Sequence, residues 1–217
     1  MLHFSRAWRE VPSGSLGLDD AALDRTESEL GCRLPAALRE FFGELGMLVE
    51  GYFRDGTNTL LPPGRCRVES GTLVVGEEYF GALWGVRVTD VELEDPLVRC
   101  IDPGGAEIDG LFPLTEFLVG LLFRATVANA RVRIRVERSL GASDAADEIH
   151  EQLLRHFRPW DRGSGERDCG FLSHLEGEEI IAALSEDDLR VGLKGPASLA
   201  SLPEPLSNLL AELVAED

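Results

Sequence analysis

His150 and Glu151 open the pattern H-E-x-x-H, which on a helix turns two imidazoles to one face as zinc ligands beside a glutamate base. Leu154 stands where the second histidine belongs, and His156 comes two residues later. His150 and His156 are separated by roughly 240° around a helix, so no shared metal is expected. Gly71 to Gly76 has the glycine spacing of a phosphate loop, but Glu77 and Glu78 occupy the places of its Lys and Ser/Thr. Two carboxylates there repel phosphate. Gly163 and Gly165 begin a dinucleotide fingerprint that Asp168 fails to complete. There is no G-x-S-x-G elbow, and no cysteine has a histidine beside it in sequence. Acids gather at Glu92, Glu94 and Asp95, at Glu176, Glu178 and Glu179, and at Glu186, Asp187 and Asp188. Paired carboxylates in a cleft can exchange protons with a substrate. In a chain with 39 acids, such runs read first as solvated turns. The reading is of a protein without catalysis, cofactor or metal.

Charge says more. Thirty-nine acids against 21 bases leave a net charge of −18. That surface repels nucleic acid, whose binding rests on phosphate contacts, and attracts basic partners. The excess is uneven: residues 140–217 carry seventeen acids and six bases, whereas 1–139 carry twenty-two and fifteen. The early charges Arg6, Arg9 and Glu10 leave no apolar export core, and the longest apolar run, Phe117 to Phe123, is far below the ~20 residues a bilayer crossing requires. A cytoplasmic protein is expected. Cys32, Cys66, Cys100 and Cys169 lie far apart, which in that compartment reads as free thiols.

The elements that would position these residues follow from hydrophobic period. Leu23, Thr26 and Leu30 share a helical stripe over 19–31, with Asp19 or Asp20 as cap and Gly31 at the end. Leu38, Phe41, Phe42 and Leu45 mark a second helix from Pro35 to Gly46. Strands are expected at 72–75, 83–89 and 97–101, the last closed by Asp102-Pro103-Gly104-Gly105. Trp84 shares a strand face with Val86 and Val88 and is expected to be a core residue. A helix apolar almost all round runs from Thr115 to Ala128. Beyond it, Arg131, Arg133 and Arg135 alternate with Val132, Ile134 and Val136 as an exposed or edge strand. The arginine row could take an anion, but pairing with neighbouring acids is the simpler reading. A helix through Ile149, Leu153 and Phe157, a loop over 158–170, a hairpin of 178–184 with 189–193 and a last helix over 205–214 complete the chain. The fold class expected is α+β, a mixed but mostly antiparallel sheet flanked by helices. Residues 1–138 would form the core, and 139–217 an α+β extension packed on the same unit.

Two stretches carry a family resemblance. Glu27-x-x-Leu30-Gly31-x-x-Leu34-Pro35, then Leu38-x-x-Phe41-Phe42 and Gly46, resembles the opening of the SUKH superfamily. Glu77-Glu78-Tyr79-Phe80-Gly81-Ala82-Leu83-Trp84-Gly85-Val86, then Asp95-Pro96-Leu97-Val98, resembles that family's central strand pair, and Pro113 to Ala128 its closing helix. Tyr79-Phe80 and Leu97 depart from the pattern. The resemblance covers about residues 18–130. It implies a SUKH-like sheet with flanking helices and no catalysis. It also implies a toxin-neutralising immunity protein, many bacterial members being of that kind, or else a regulatory or scaffold protein without a toxin partner. A basic toxin domain, such as a nuclease, would complement an acidic inhibitor. Twenty arginines against one lysine suit a GC-rich bacterial source. The candidate contact residues are Glu77, Glu78 and Tyr79 beside the central strands, and Glu186, Asp187 and Asp188 at the hairpin.

Overall fold

The computed structural model describes residues 16–49, 53, 58–78, 81–130, 132–137, 143–156, 158–159, 173–176, 180–184, 188–195 and 197–214. Contacts divide the chain into two compact units at Ala125/Thr126. Both are α+β, and every strand pairing described is antiparallel.

The first unit opens with helix α1, Asp20–Leu30. Asp19 caps it, its Oδ1 accepting the Ala22 N–H at 2.7 Å. Such a cap contributes about 1 kcal/mol. Gly31 ends the helix in the left-handed region, at φ 69°, where a side chain would be strained. Helix α2, Ala36–Leu45, follows, with Pro35 just outside it. Gly46 is the residue at which this helix ends, but not in the left-handed conformation common for a terminal glycine. It keeps helical angles, φ −56° and ψ −30°, and leads into a 3-10 turn over Gly46–Leu48. Packing requires glycine there: a Cβ would meet Leu18 Cγ at 2.9 Å.

The first sheet contains β1 (Asn58–Leu60), β2 (Arg67–Glu69), β3 (Thr72–Glu78), β4 (Leu83–Arg87), β5 (Leu97–Ile101) and β6 (Glu107–Pro113). Strands β3 to β6 form a meander, while β1 and β2 both pair with the outer side of β3. Ser70 and Gly71, at φ 49° and 80°, make the two-residue turn between β2 and β3. Positive φ at both positions matches the twist of a tight hairpin. The strand expected over 83–89 stops at Arg87; Val88–Asp90 turn as a 3-10 segment whose first N–H is held by Gly71 O at 2.9 Å. Gly85 is obligatory, because a Cβ would come within 2.5 Å of Thr72 Cγ2 and 2.7 Å of Leu73 O.

Helix α3, Leu114–Ala128, starts one residue before the expected Thr115 and buries Phe117, Leu118, Leu121 and Leu122. Its start is tied to β5. Asp95 Oδ1 accepts the Thr115 N–H at 3.0 Å, its other oxygen takes the Thr115 hydroxyl, and Pro96 O accepts the Leu114 N–H at 2.9 Å. On the buried face, the Trp84 ring lies 5.7 Å from both Phe112 and Phe117, which are 5.9 Å apart. These separations are attractive for aromatic pairs, and Trp84 is a core residue as expected.

The second unit has its own sheet of β7 (Val132–Glu137), β8 (Arg158–Pro159), β9 (Ser173–Glu176), β10 (Ile180–Leu184) and β11 (Asp188–Leu193), in the order β7-β11-β10-β9-β8. β7 is an outer strand, as the alternating arginines suggested. Its partner is β11, with Ile134 opposite Val191. Residues 132–137 therefore belong to this sheet, whereas the sequence reading grouped them with 1–138; hydrogen bonding to a strand some fifty residues later is invisible in a local pattern. Helices α4 (Ser143–His156), α5 (Ser198–Ser201) and α6 (Glu204–Val214) complete the unit. Ile149 and Leu153, one turn apart on α4, join Leu206 and Leu210 of α6 and the sheet residues Ile134, Val191 and Leu193 in one aliphatic core. The expected Phe157 contact and the loop after Pro159 fall outside the described residues. No helix among the described residues is long and apolar enough to cross a membrane.

Candidate functional site

Strand alternation gives the first sheet two unlike faces. Leu73, Trp84, Val86, Val98, Cys100 and Phe112 form the buried one. The other carries Thr72 opposite Arg87, Val74 opposite Gly85, Gly85 opposite Arg99, and the row Leu83–Ile101–Glu107. A cleft of about 710 Å³ lies on this second face, lined by strand and turn residues alone. Its volume is within the range that holds a small molecule or a side chain of a partner.

Ion pairs organise the rims. On one side Arg67 Nη1 meets Glu77 Oε1 at 2.8 Å while its Nε meets Glu69, and Arg65 lies 3.7 Å from the second Glu77 oxygen. On the other, Glu107 bridges two guanidinium groups, Arg87 at 3.1 Å and Arg99 through its other oxygen. Asp102 differs from these acids. Its Oδ1 accepts the Ala106 N–H at 2.7 Å, which fixes the Asp102-Pro103-Gly104-Gly105 turn, and it has no ion pair among the described residues.

The structure separates Glu77 from Glu78. Opposite Leu83, Glu77 lies on the cleft face. One residue on, Glu78 lies on the Cys100 side; burial first, then the charge of Glu78 and that of Asp102 from just past the end of β5, push the Cys100 thiol up to about 11. Both glutamates were candidate contact residues, but neighbouring strand residues point oppositely, so only Glu77 shares the cleft face. Tyr79 lies outside the described residues, as do Glu186 and Asp187 at the hairpin turn. Asp188 is the first residue of β11, in register with Glu137, rather than part of a projecting loop. Glu176 is in β9, and Glu178 and Glu179 are outside the described residues.

Other motif residues hold the fold together. Glu27 Oε1 accepts the Leu34 N–H at 3.1 Å and meets Arg39 Nη1 at 3.1 Å. Arg39 also meets Asp20 at 3.1 Å and Asp24 at 2.9 Å, so three carboxylates hold its pKa above the ordinary arginine value, Asp24 most strongly. Sequence reading missed this hub, since its members are spread over 20 positions and only the angle between α1 and α2 unites them. It also read Asp102 as turn chemistry only. Its place beside Ile101 at the end of the Leu83–Ile101 row gives it a second possibility, as a carboxylate on the cleft.

Cys32, Cys66 and Cys100 are free thiols, and Cys169 lies outside the described residues. Burial pushes Cys66 up to about 12, so it is not a nucleophile at neutral pH. Among the described residues no group of three or more His, Cys, Asp or Glu is arranged to hold a metal. The architecture is that of an α+β protein with an open, ion-paired sheet face. The chain matches no protein-family model, no curated protein sequence and no solved structure. Of the motif residues, Glu27, Gly31 and Asp95 have clear structural work in the first unit.

Proposed function

We propose that this protein is a non-enzymatic, cytoplasmic binding module that neutralises a basic bacterial toxin by direct contact. The observation that carries the reading is the open face of the first sheet: a cleft bordered by Glu69, Asp102 and Glu107, in a chain with net charge −18. Fixed carboxylates around a partly apolar floor suit a cationic protein surface, because complementary charge both speeds encounter and sets register. A nuclease is the toxin class favoured by this chemistry, since approach to phosphate requires positive charge. The resemblance to immunity proteins of the SUKH superfamily agrees with it.

Co-expression with a candidate basic toxin domain, sought first among the products of neighbouring genes, tests the proposal. Restored growth and a stoichiometric complex on gel filtration are the expected results. Stopped-flow association should slow steeply between about 0.01 and 0.1 M salt, where the screening length falls from about 30 to 10 Å. A toxin that stays lethal overturns the immunity reading, and a salt-independent on-rate overturns the electrostatic part of it.

A further inference from the structure

We infer that the cleft on the open face of the first sheet seats a single lysine or arginine side chain of a protein partner, with its cationic head at Asp102. This rests on the proposed reading of the protein as a binder of a basic partner and assigns the contact that the partner makes.

Leu83, Ile101 and Glu107 are aligned across three neighbouring strands, and Asp102 follows Ile101 directly. All four line the cleft. Leu83 and Ile101 are both partly exposed, giving an apolar strip that ends at a carboxylate. Long cationic side chains have the matching shape, a hydrocarbon stem that favours apolar surface and a charged head that favours a carboxylate. The cations of the rims are already engaged: Arg67 by Glu69 and Glu77, and Arg87 and Arg99 by Glu107. Asp102 is the cleft acid left without an ion pair among the described residues. Its position is fixed before any ligand arrives, because Oδ1 accepts the Ala106 N–H and the Asp102 N–H and O close the turn with Ala106 and Gly105. An anionic ligand is disfavoured, since Glu69, Asp102 and Glu107 outnumber Arg87 along the lining.

The test uses the full chain and two probes of nearly equal shape, N-acetylarginine amide and its neutral citrulline counterpart, titrated into isotope-labelled protein by NMR. The arginine probe is expected to shift the amide signals of Leu83, Ile101 and Asp102 saturably, while the citrulline probe leaves them in place. Asp102→Asn keeps an acceptor for Ala106, so the turn survives, and the dispersion of the spectrum reports whether it has. Loss of the charge should weaken the arginine probe about tenfold, as for hydrogen bonds to charged groups. Equal shifts from both probes, shifts scattered over the acidic surface, or undiminished binding by the Asp102→Asn variant would each overturn the inference. The probes need no partner, so failure here leaves the toxin co-expression experiment to decide the broader reading separately.

Discussion

Among the described residues, the two units reach a packed core by different chemistry. In the first, Phe41, Phe42, Phe53, Trp84, Phe112, Phe117 and Phe123 are buried; in the second, the core cluster is aliphatic, built from Ile134, Ile149, Leu153, Val191, Leu193, Leu202, Leu206 and Leu210. Their connectivity differs as well. Strands β3 to β6 pair in sequence order, whereas β7 must find β11 across an intervening helix and three strands. Local pairing costs little loop entropy, and long-range closure costs more. Aromatic rings with fixed edge and face contacts also bury more area per residue than aliphatic side chains. The first unit is thus secured by local pairing and large rings, the second by the mutual packing of two helices on a late-closing sheet.

Substitution in each core measures that contrast. Trp84→Ala removes the ring that packs against both Phe112 and Phe117 and should cost about 3–5 kcal/mol. Leu206→Ala, at a fully buried α6 position, should cost about 2–5 kcal/mol. Native-state hydrogen exchange at Leu73 and Val86 reports the first unit, and exchange at Val191 and Leu193 the second. If Leu206→Ala accelerates exchange at Val191 more than Trp84→Ala does at Val86, the aromatic core is not the stronger anchor.

Alkaline pH stresses the first unit through a buried thiol. The folded pKa of Cys66, about 12, exceeds the ordinary thiol value of 9.0 because of burial. Above pH 9 the unfolded chain loses that proton while the folded one keeps it, so stability is intact below about 9 and declines up to about 12. The slope is about 1.4 kcal/mol per pH unit for one such group. Urea melts of the parent and Cys66→Ala between pH 8 and 11 should show this component only in the parent. Parallel curves would mean that the thiol ionises in place.

The smallest effect concerns the link between β5 and α3. Asp95→Ala leaves the Thr115 N–H and hydroxyl without their acceptor and should cost about 1 kcal/mol, with Asp95→Asn costing less. A thermal melt distinguishes a change of this size from no change. An unaltered midpoint in Asp95→Ala would show that water replaces the cap fully.

Much of the first unit was legible because its determinants are local. Asp19, Gly31 and the Leu38–Phe41–Phe42–Leu45 stripe mark the ends and inner faces of α1 and α2, and each acts within a few residues of itself. The free thiols, the core role of Trp84, the hairpin of β10 with β11 and the outer position of β7 were also readable, from spacing or alternation. Gly46 shows the limit of such reading. Its sequence position suited a helix stop, but the reason for a glycine is Leu18, which approaches from 28 residues earlier.

For the candidate site the division is sharper. Composition and local order suffice for the acidic balance, the Glu77-Glu78 pair and the Asp102 turn. Folding of the sheet places Glu77 with Arg67 on the cleft face and Glu78 toward Cys100, and sets Asp102 beside the Leu83–Ile101–Glu107 row with no ion pair among the described residues. Alternation fixes opposite faces for neighbouring residues, whereas strand register selects which distant residues share a face. Charge count is a property of composition; which charges neutralise one another is a property of register.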